Sequence, residues 1–134
     1  MVAYSFKTAF VTLVHELKKT QTIRAHRKRH ARVGEPVQLF NDLRRKTCIK
    51  LVDPDPICIA SDPIEIWVRP GFDCLYRFPE IQEAFDPVDD AFAYADGFLN
   101  AAHFAQFWRK THGLGLFEGK MIKWDPTRRI ESHQ

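Results

Sequence analysis

Lys19, Thr22 and Arg24 follow one another at intervals of three and two residues in Lys19-Thr20-Gln21-Thr22-Ile23-Arg24. In a desolvated cleft a lysine gives up its proton more readily. Lys19 can therefore act as a general base, or stay charged and hold a phosphate. Thr22 is a weak nucleophile until a neighbouring base activates it, and Lys19 reaches it if the segment turns. Arg24 has a planar fork that can grip a phosphate or carboxylate through two bonds. Each residue also has a plainer role. Lys19 suits the negative end of a helix, and Thr22 is an ordinary β-branched strand residue. Arg24 can pair internally with an acid from the middle of the chain, and Asp96 is a common helix-end or turn residue.

A basic run follows, His26-Arg27-Lys28-Arg29-His30-Ala31-Arg32. As a flexible loop, its Arg27, Lys28, Arg29 and Arg32 would contact a phosphate backbone, giving salt-dependent affinity without base readout. The same run can be a solvated surface, or a docking site for an acidic protein partner. Charge is split along the chain. Residues 18–50 hold eleven Lys/Arg against two acids, and residues 51–100 hold eleven acids against two bases, although the net charge is only +3. A face with that excess concentrates anions unless the two parts fold together and neutralise each other. Trp67, Trp108, Trp124, Tyr76 and Tyr94 can stack on bases. Tyr76 and Tyr94, set among acids, are the ones expected at the surface.

Other classes are disfavoured. His26 and His30 are four apart but have no acid or Cys nearby, so no metal site is expected, and no cofactor is implied. Cys48, Cys58 and Cys74 are odd in number and form no C-x-x-C, which points to a reducing cytoplasm. Cys48 and Cys58 alternate with isoleucines and read as buried. Met1–Phe10 has no apolar stretch typical of a signal peptide, and no apolar run approaches the ~18 residues that span a membrane.

The elements that must position these groups are short. The 134 residues suit one domain, taken as 1–125 with a polar tail at 126–134. Val2–Phe6 reads as a strand. Ala9, Phe10, Leu13, Val14 and Leu17 make a helical stripe over Thr8–Lys18. Val37, Leu39 and Asn41 alternate with Gln38 and Phe40, as in a strand. Arg44-Arg45-Lys46 ends a hairpin, and Thr47–Val52 returns. Ile57–Ala60 and Ile64–Val68 read as two strands separated by Ser61-Asp62-Pro63. Asp86-Pro87 opens a helix to Asp96 that Gly97 closes. Asn100 caps a second helix carrying Ala101, Phe104, Ala105 and Trp108, and Gly113 stops it. Lys120–Trp124 is the last strand. About six strands with two or three helices predict an α+β fold, a small mixed and partly closed barrel.

Lys19-x-x-Thr22-Ile23-Arg24 after a helix, then Gly34-Glu35-Pro36-Val37 before a strand, resembles the ASCH domains of the PUA-like superfamily. Asp96-Gly97-Phe98 and the helix ending Phe107-Trp108-Arg109-Lys110 resemble a second element of that family. The likeness covers most of residues 2–124. Glu35-Pro36 replaces the family's Asp, and the loop after Arg24 is unusually basic. The resemblance implies a PUA-like barrel with a cleft beside the first helix that holds RNA or a modified nucleoside. Together with the charge of the loop, this points to nucleic-acid binding, with RNA favoured and DNA an alternative, through Lys19, Arg24 and the loop. One branch of the family hydrolyses the acyl amide of N4-acetylcytidine with a Lys, a Thr and a Glu. These correspond to Lys19, Thr22 and, one methylene shorter, Asp96, which on this likeness would orient Lys19 or protonate the leaving amine. Other members are ribonucleases. A third class is an interaction protein of a phage or mobile element that docks on an acidic partner.

Overall fold

A computed structural model describes residues 2–41, 48–71 and 73–129, with side chains through Thr127. The hairpin end at Arg44-Arg45-Lys46 and most of the polar tail lie outside the described residues. Among the described residues the fold is α+β, with two sheets and three helical segments. One sheet has the order β1-β3-β4: β1 (Val2–Phe6), β3 (Val37–Asn41) and β4 (Ile49–Lys50). The other runs β2-β8-β5-β6-β7: β2 (Gln21–Ala25), β8 (Gly115–Arg129), β5 (Pro56–Val68), β6 (Cys74–Arg77) and β7 (Asp86–Pro87).

β1 pairs in parallel with β3. Every other residue of β1, Val2, Tyr4 and Phe6, is buried, and so are Val37, Leu39 and Asn41 of β3. This is the alternation expected of a half-buried strand. The backbone of the second sheet is the long antiparallel pair β5–β8, in register from Ala60↔Lys123 to Val68↔Gly115. The two strands predicted at Ile57–Ala60 and Ile64–Val68 are therefore one. Pro63 does not break it, because β6 joins β5 only from Glu65 onward. Before that point β5 has an open side where a missing N–H costs no ladder bond. β8 is likewise longer than Lys120–Trp124, and β4 is only the core of the predicted Thr47–Val52.

The two sheets do not close into a barrel among the described residues. On one side they meet at a single bridge, Pro36↔Ile57. On the other, no ladder joins the outer strands β1 and β2 among the described residues. Two carbonyls of β1, Ala3 and Ser5, lie two residues apart and so on the same side of the strand. They accept from Arg27 Nη2 (3.2 Å) and Arg24 Nη2 (2.8 Å). The guanidinium groups of Arg24 in β2 and of Arg27 in the loop after it thus link this side of the fold to the outer edge of β1.

The first helix is shorter than the Thr8–Lys18 stripe predicts. A 3₁₀ turn, Thr8–Phe10, leads into α1 (Val11–His15), and Leu17 with φ +59° turns the chain sharply. Asp86-Pro87 does not start a helix. It pairs with β6, and α2 (Asp90–Ala95) begins at Asp89, whose carboxylate accepts from Phe92 N–H at 2.8 Å. α3 (Ala101–His112) begins as expected, with Asn100 accepting from His103 N–H at 2.9 Å. It buries Phe104, Ala105 and Trp108.

Two apolar clusters result. Tyr4, Val14, Leu39, Cys58, Ile122 and Trp124 fill the space between the sheets. Ile64, Ile66, Phe98, Phe104, Trp108 and Met121 join α2 and α3 to the long sheet. Phe10 packs against both. Cys74 is also buried, but Cys48 is exposed, contrary to the alternation argument, because β4 carries no covering layer. No helix among the described residues is long and apolar enough to cross a membrane.

Candidate functional site

Leu17 decides which lysine turns inward. After this left-handed residue, Lys18 stays at the surface beside Glu16 (3.1 Å), and Lys19 points in. Thr20 N–H donates to Ala95 O (2.9 Å) and Trp124 N–H to Thr20 O (3.0 Å). These bonds lay the segment across the end of α2, where Asp96 is the C-terminal cap. Gly97 follows with φ +95°, a conformation that favours glycine. A Cβ there would stand 2.8 Å from Lys19 Cδ and 3.0 Å from Phe10 Cδ1. The glycine thus admits the lysine stem as well as the turn.

Lys19, Thr22 and Asp96, grouped by the family likeness, line one pocket of about 280 Å³ together with Arg24. Lys19, Thr22 and Asp96 are all buried. Lys19 Nζ donates to the Asp96 backbone oxygen and lies 3.5 Å from Asp96 Oδ1. It also sits 5.0 Å from the Phe10 ring centre and 5.7 Å from that of Phe6, two favourable cation–π contacts. Burial pushes the Lys19 amine below the usual lysine range, with Asp96 pulling the other way. Burial raises the Asp96 carboxyl to about 6, against the pull of Lys19. The pair is thus a buried acid and base whose proton affinities have moved toward each other.

Thr22 has a different partner from the one expected. Among the described residues no hydrogen bond links it to Lys19. Its Oγ1 accepts from Arg24 Nε at 2.9 Å. Arg24 forms no ion pair with the described acids of 51–100. Its guanidinium lies 5.0 Å from the Phe6 ring centre and 5.4 Å from that of Tyr4, and bonds Thr22 and Ser5 O. The pocket walls are aromatic, with Phe10, Phe98, Phe107, Trp108 and Phe117 among them. Lys7 and His112 are also in its lining. Neither residue stands out in the sequence, because the end of β1 and the end of α3 meet only in the folded chain. The only advance signal is the density of phenylalanines around residues 98–117.

The basic loop is less free than a flexible run would be. His30 is buried and stacked on Tyr4. His30 Nε2 is 2.9 Å from Ala25 O, which can only accept, so Nε2 carries the proton and Nδ1 accepts from the Tyr4 hydroxyl at 2.9 Å. The Tyr4 oxygen accepts in turn from Ala31 N–H at 3.0 Å. Arg27 covers Tyr4 and bonds Ala3 O and Arg29 O. Arg29 pairs with Glu35. Lys28 and Arg32 are exposed, and neither side chain makes an ion pair among the described residues. Neutralisation between the basic and acidic parts of the chain is limited to Lys19–Asp96 and Lys50–Asp55 (2.8 Å) among the described residues. Tyr94 and Trp67 are exposed, Tyr76 is half-buried against Phe92, and Trp108 and Trp124 are core. No cluster of His, Cys, Asp and Glu suited to a metal occurs among the described residues. Compared with protein families, curated proteins and solved structures, the chain matches none.

Proposed function

We propose that this chain is an ASCH-like, PUA-like module that binds RNA or a nucleotide, taking one base into the aromatic pocket and using the neighbouring basic loop for phosphates. The observation that carries this reading is the pocket itself. Its volume of about 280 Å³ suits a single nucleoside better than a helix or a peptide, near the lower end of small-molecule sites. Aromatic rings on several sides suit a flat base. Lys19, Thr22 and Arg24 in its lining offer directional donors, and Asp96 offers an acceptor or, when protonated, a donor. The loop from Arg27 to Arg32 follows directly from β2, which lines the pocket, so a strand with one base inserted would meet Lys28 and Arg32 next.

The test is binding of a labelled structured RNA and a matched DNA at low and moderate salt, to the wild type, Lys19→Ala and Lys28→Ala/Arg32→Ala. Salt-sensitive binding that weakens in both variants is expected. The loop variant should lower the salt slope by about two, roughly one for each phosphate it no longer neutralises. Failure of both polymers and of single nucleosides to bind at low salt refutes the reading.

A second reading, hydrolysis of the acyl amide of an N4-acylated cytidine, is favoured by one contact. Arg24 Nε donates to Thr22 Oγ1, which leaves the hydroxyl proton free to be removed and would stabilise the resulting alkoxide. Lys19, with its proton affinity lowered by burial, is the base of this scheme, and Asp96 is the acid that protonates the leaving amine. Turnover of N4-acetylcytidine by the wild type and its loss in Thr22→Val is the expected result. Turnover that persists in Thr22→Val removes the threonine from the chemistry.

A further inference from the structure

We infer that the mouth of the pocket is an anion subsite formed by Lys7, Arg24 and His112, and that the bound nucleoside carries a phosphate ester there. The inference rests on the nucleobase reading of the pocket and adds the chemical class of its ligand.

Charge in the pocket is unevenly placed. Its charged and titratable lining residues are Lys7, Lys19, Arg24, Asp96 and His112. Lys19 and Asp96 answer each other at 3.5 Å. The remaining three are all cations or able to become one, and no second carboxylate among the described residues lines the cavity.

Arg24 is the strongest of the three observations. Its guanidinium is held between the Tyr4 and Phe6 rings on one side and the Thr22 and Ser5 acceptors on the other. Both acceptors are neutral. No carboxylate lies within ion-pair distance of Arg24 among the described residues, and Asp96, whose charge reaches it, is already engaged by Lys19, so this partly buried cation has no counter-ion of its own. That is a costly arrangement unless a ligand supplies the negative charge.

Lys7 is the first residue after β1. Its Nζ lies 5.5 Å from the Phe107 ring centre and makes no ion pair among the described residues. His112 is the last residue of α3. Its ring is stacked on Trp108 at 4.3 Å between centres and tilted against Phe117 at 5.0 Å. Two aromatic contacts thus hold the imidazole at the rim. Burial and the nearby Lys7 both push its protonation downward, and a phosphate beside the two would offset the Lys7 repulsion. The aromatic walls receive the base, and the cationic rim is the part of the cavity suited to a dianion.

The test is calorimetric titration of the wild type with cytidine, uridine, adenosine, guanosine and N4-acetylcytidine, each as nucleoside and as 5′-monophosphate. The series is repeated for Lys7→Ala and His112→Gln. The His112 Hε1 resonance of the wild type is followed through each titration. For the base that binds, the monophosphate is expected to bind about tenfold or more tighter than its nucleoside, as for a charge-assisted phosphate contact. That ratio should shrink in both variants, and the His112 resonance should move with the monophosphate and not with the nucleoside. Equal affinity of nucleoside and monophosphate, with an unmoved His112 resonance, overturns the subsite and leaves the base pocket standing. Failure of every compound to bind overturns the base pocket and the subsite together.

Discussion

Replacing Gly97 by alanine tests how tightly the site is built. The added Cβ would lie 2.8 Å from Lys19 Cδ and 3.0 Å from Phe10 Cδ1, inside normal contact distance. It would also force a φ of +95° on a residue with a side chain. The conformational part costs about 1–2 kcal/mol. Overpacking against Phe10 and the buried lysine stem adds about 1–3 kcal/mol. At about 2.1 cal/mol/K per residue, the 134-residue chain has an unfolding entropy of about 0.28 kcal/mol/K. The combined cost of about 2–5 kcal/mol thus lowers Tm by about 7–18 °C. Gly34 is the internal control. It has φ +90°, and a Cβ added there would meet nothing within 4 Å. Gly34→Ala therefore carries the conformational cost alone, about 4–7 °C. Scanning calorimetry of the two variants separates the terms. A Gly97→Ala chain no less stable than Gly34→Ala would refute the close approach of Lys19 to this turn, and with it the geometry of the pocket floor.

Three other outcomes follow from the same contacts. Asp96 has its folded-state pKa raised to about 6 from an ordinary 3.8, so its stabilising contribution is fully present below about pH 4 and is lost as pH rises through 6. Relative to Asp96→Asn, wild-type stability in urea should fall over that window by up to about 3 kcal/mol. A ¹³C carboxyl titration with its midpoint below 4 contradicts this. Tyr4→Phe leaves the Ala31 N–H and His30 Nδ1 without their partner, and should cost about 1–3 kcal/mol; an unchanged urea midpoint speaks against the buried Tyr4–His30 link. Arg24→Lys keeps the charge but cannot serve Thr22 and Ser5 at once. It should lose about 1.5–3 kcal/mol, and equal stability in the same assay would mean that the fork is not needed.

How much of this was legible in the sequence depended on the range of the interaction. Asn100 and the Phe104, Ala105, Trp108 spacing marked α3, because capping and helical periodicity are local. The alternation of Val37, Leu39 and Asn41 marked β3 for the same reason. The Lys19, Thr22 and Asp96 grouping was reached through a motif, and these residues do line one cavity. What the motif could not say was how the hydroxyl is bonded. Thr22 and Arg24 are two apart on a strand and so share a face, which makes Arg24 a nearer partner than Lys19 across the turn at Leu17. Local signals misled where a distant strand overrode them. Ser61-Asp62-Pro63 looks like a break, yet Ser61↔Ile122 and Pro63↔Lys120 pair within β5–β8. Asp86-Pro87 has helix-start chemistry, yet it pairs with Leu75 and Tyr76. Lys7 and His112 lie near opposite ends of the chain, and no local pattern joins them.

The guanidinium links from Arg24 and Arg27 to the outer edge of β1 have a consequence for the behaviour of many chains together. An outer strand with open carbonyls is a template on which another molecule can lay a strand of its own. In β1 that template is blocked, because Arg24 and Arg27 already occupy Ser5 O and Ala3 O, and each brings a positive charge that repels an identical edge. Removing Arg27 would uncover half of this edge and half of its charge. On this reading the two cations guard the edge against strand-to-strand pairing, and concentrated preparations of an Arg27 variant would be the place to see such association begin.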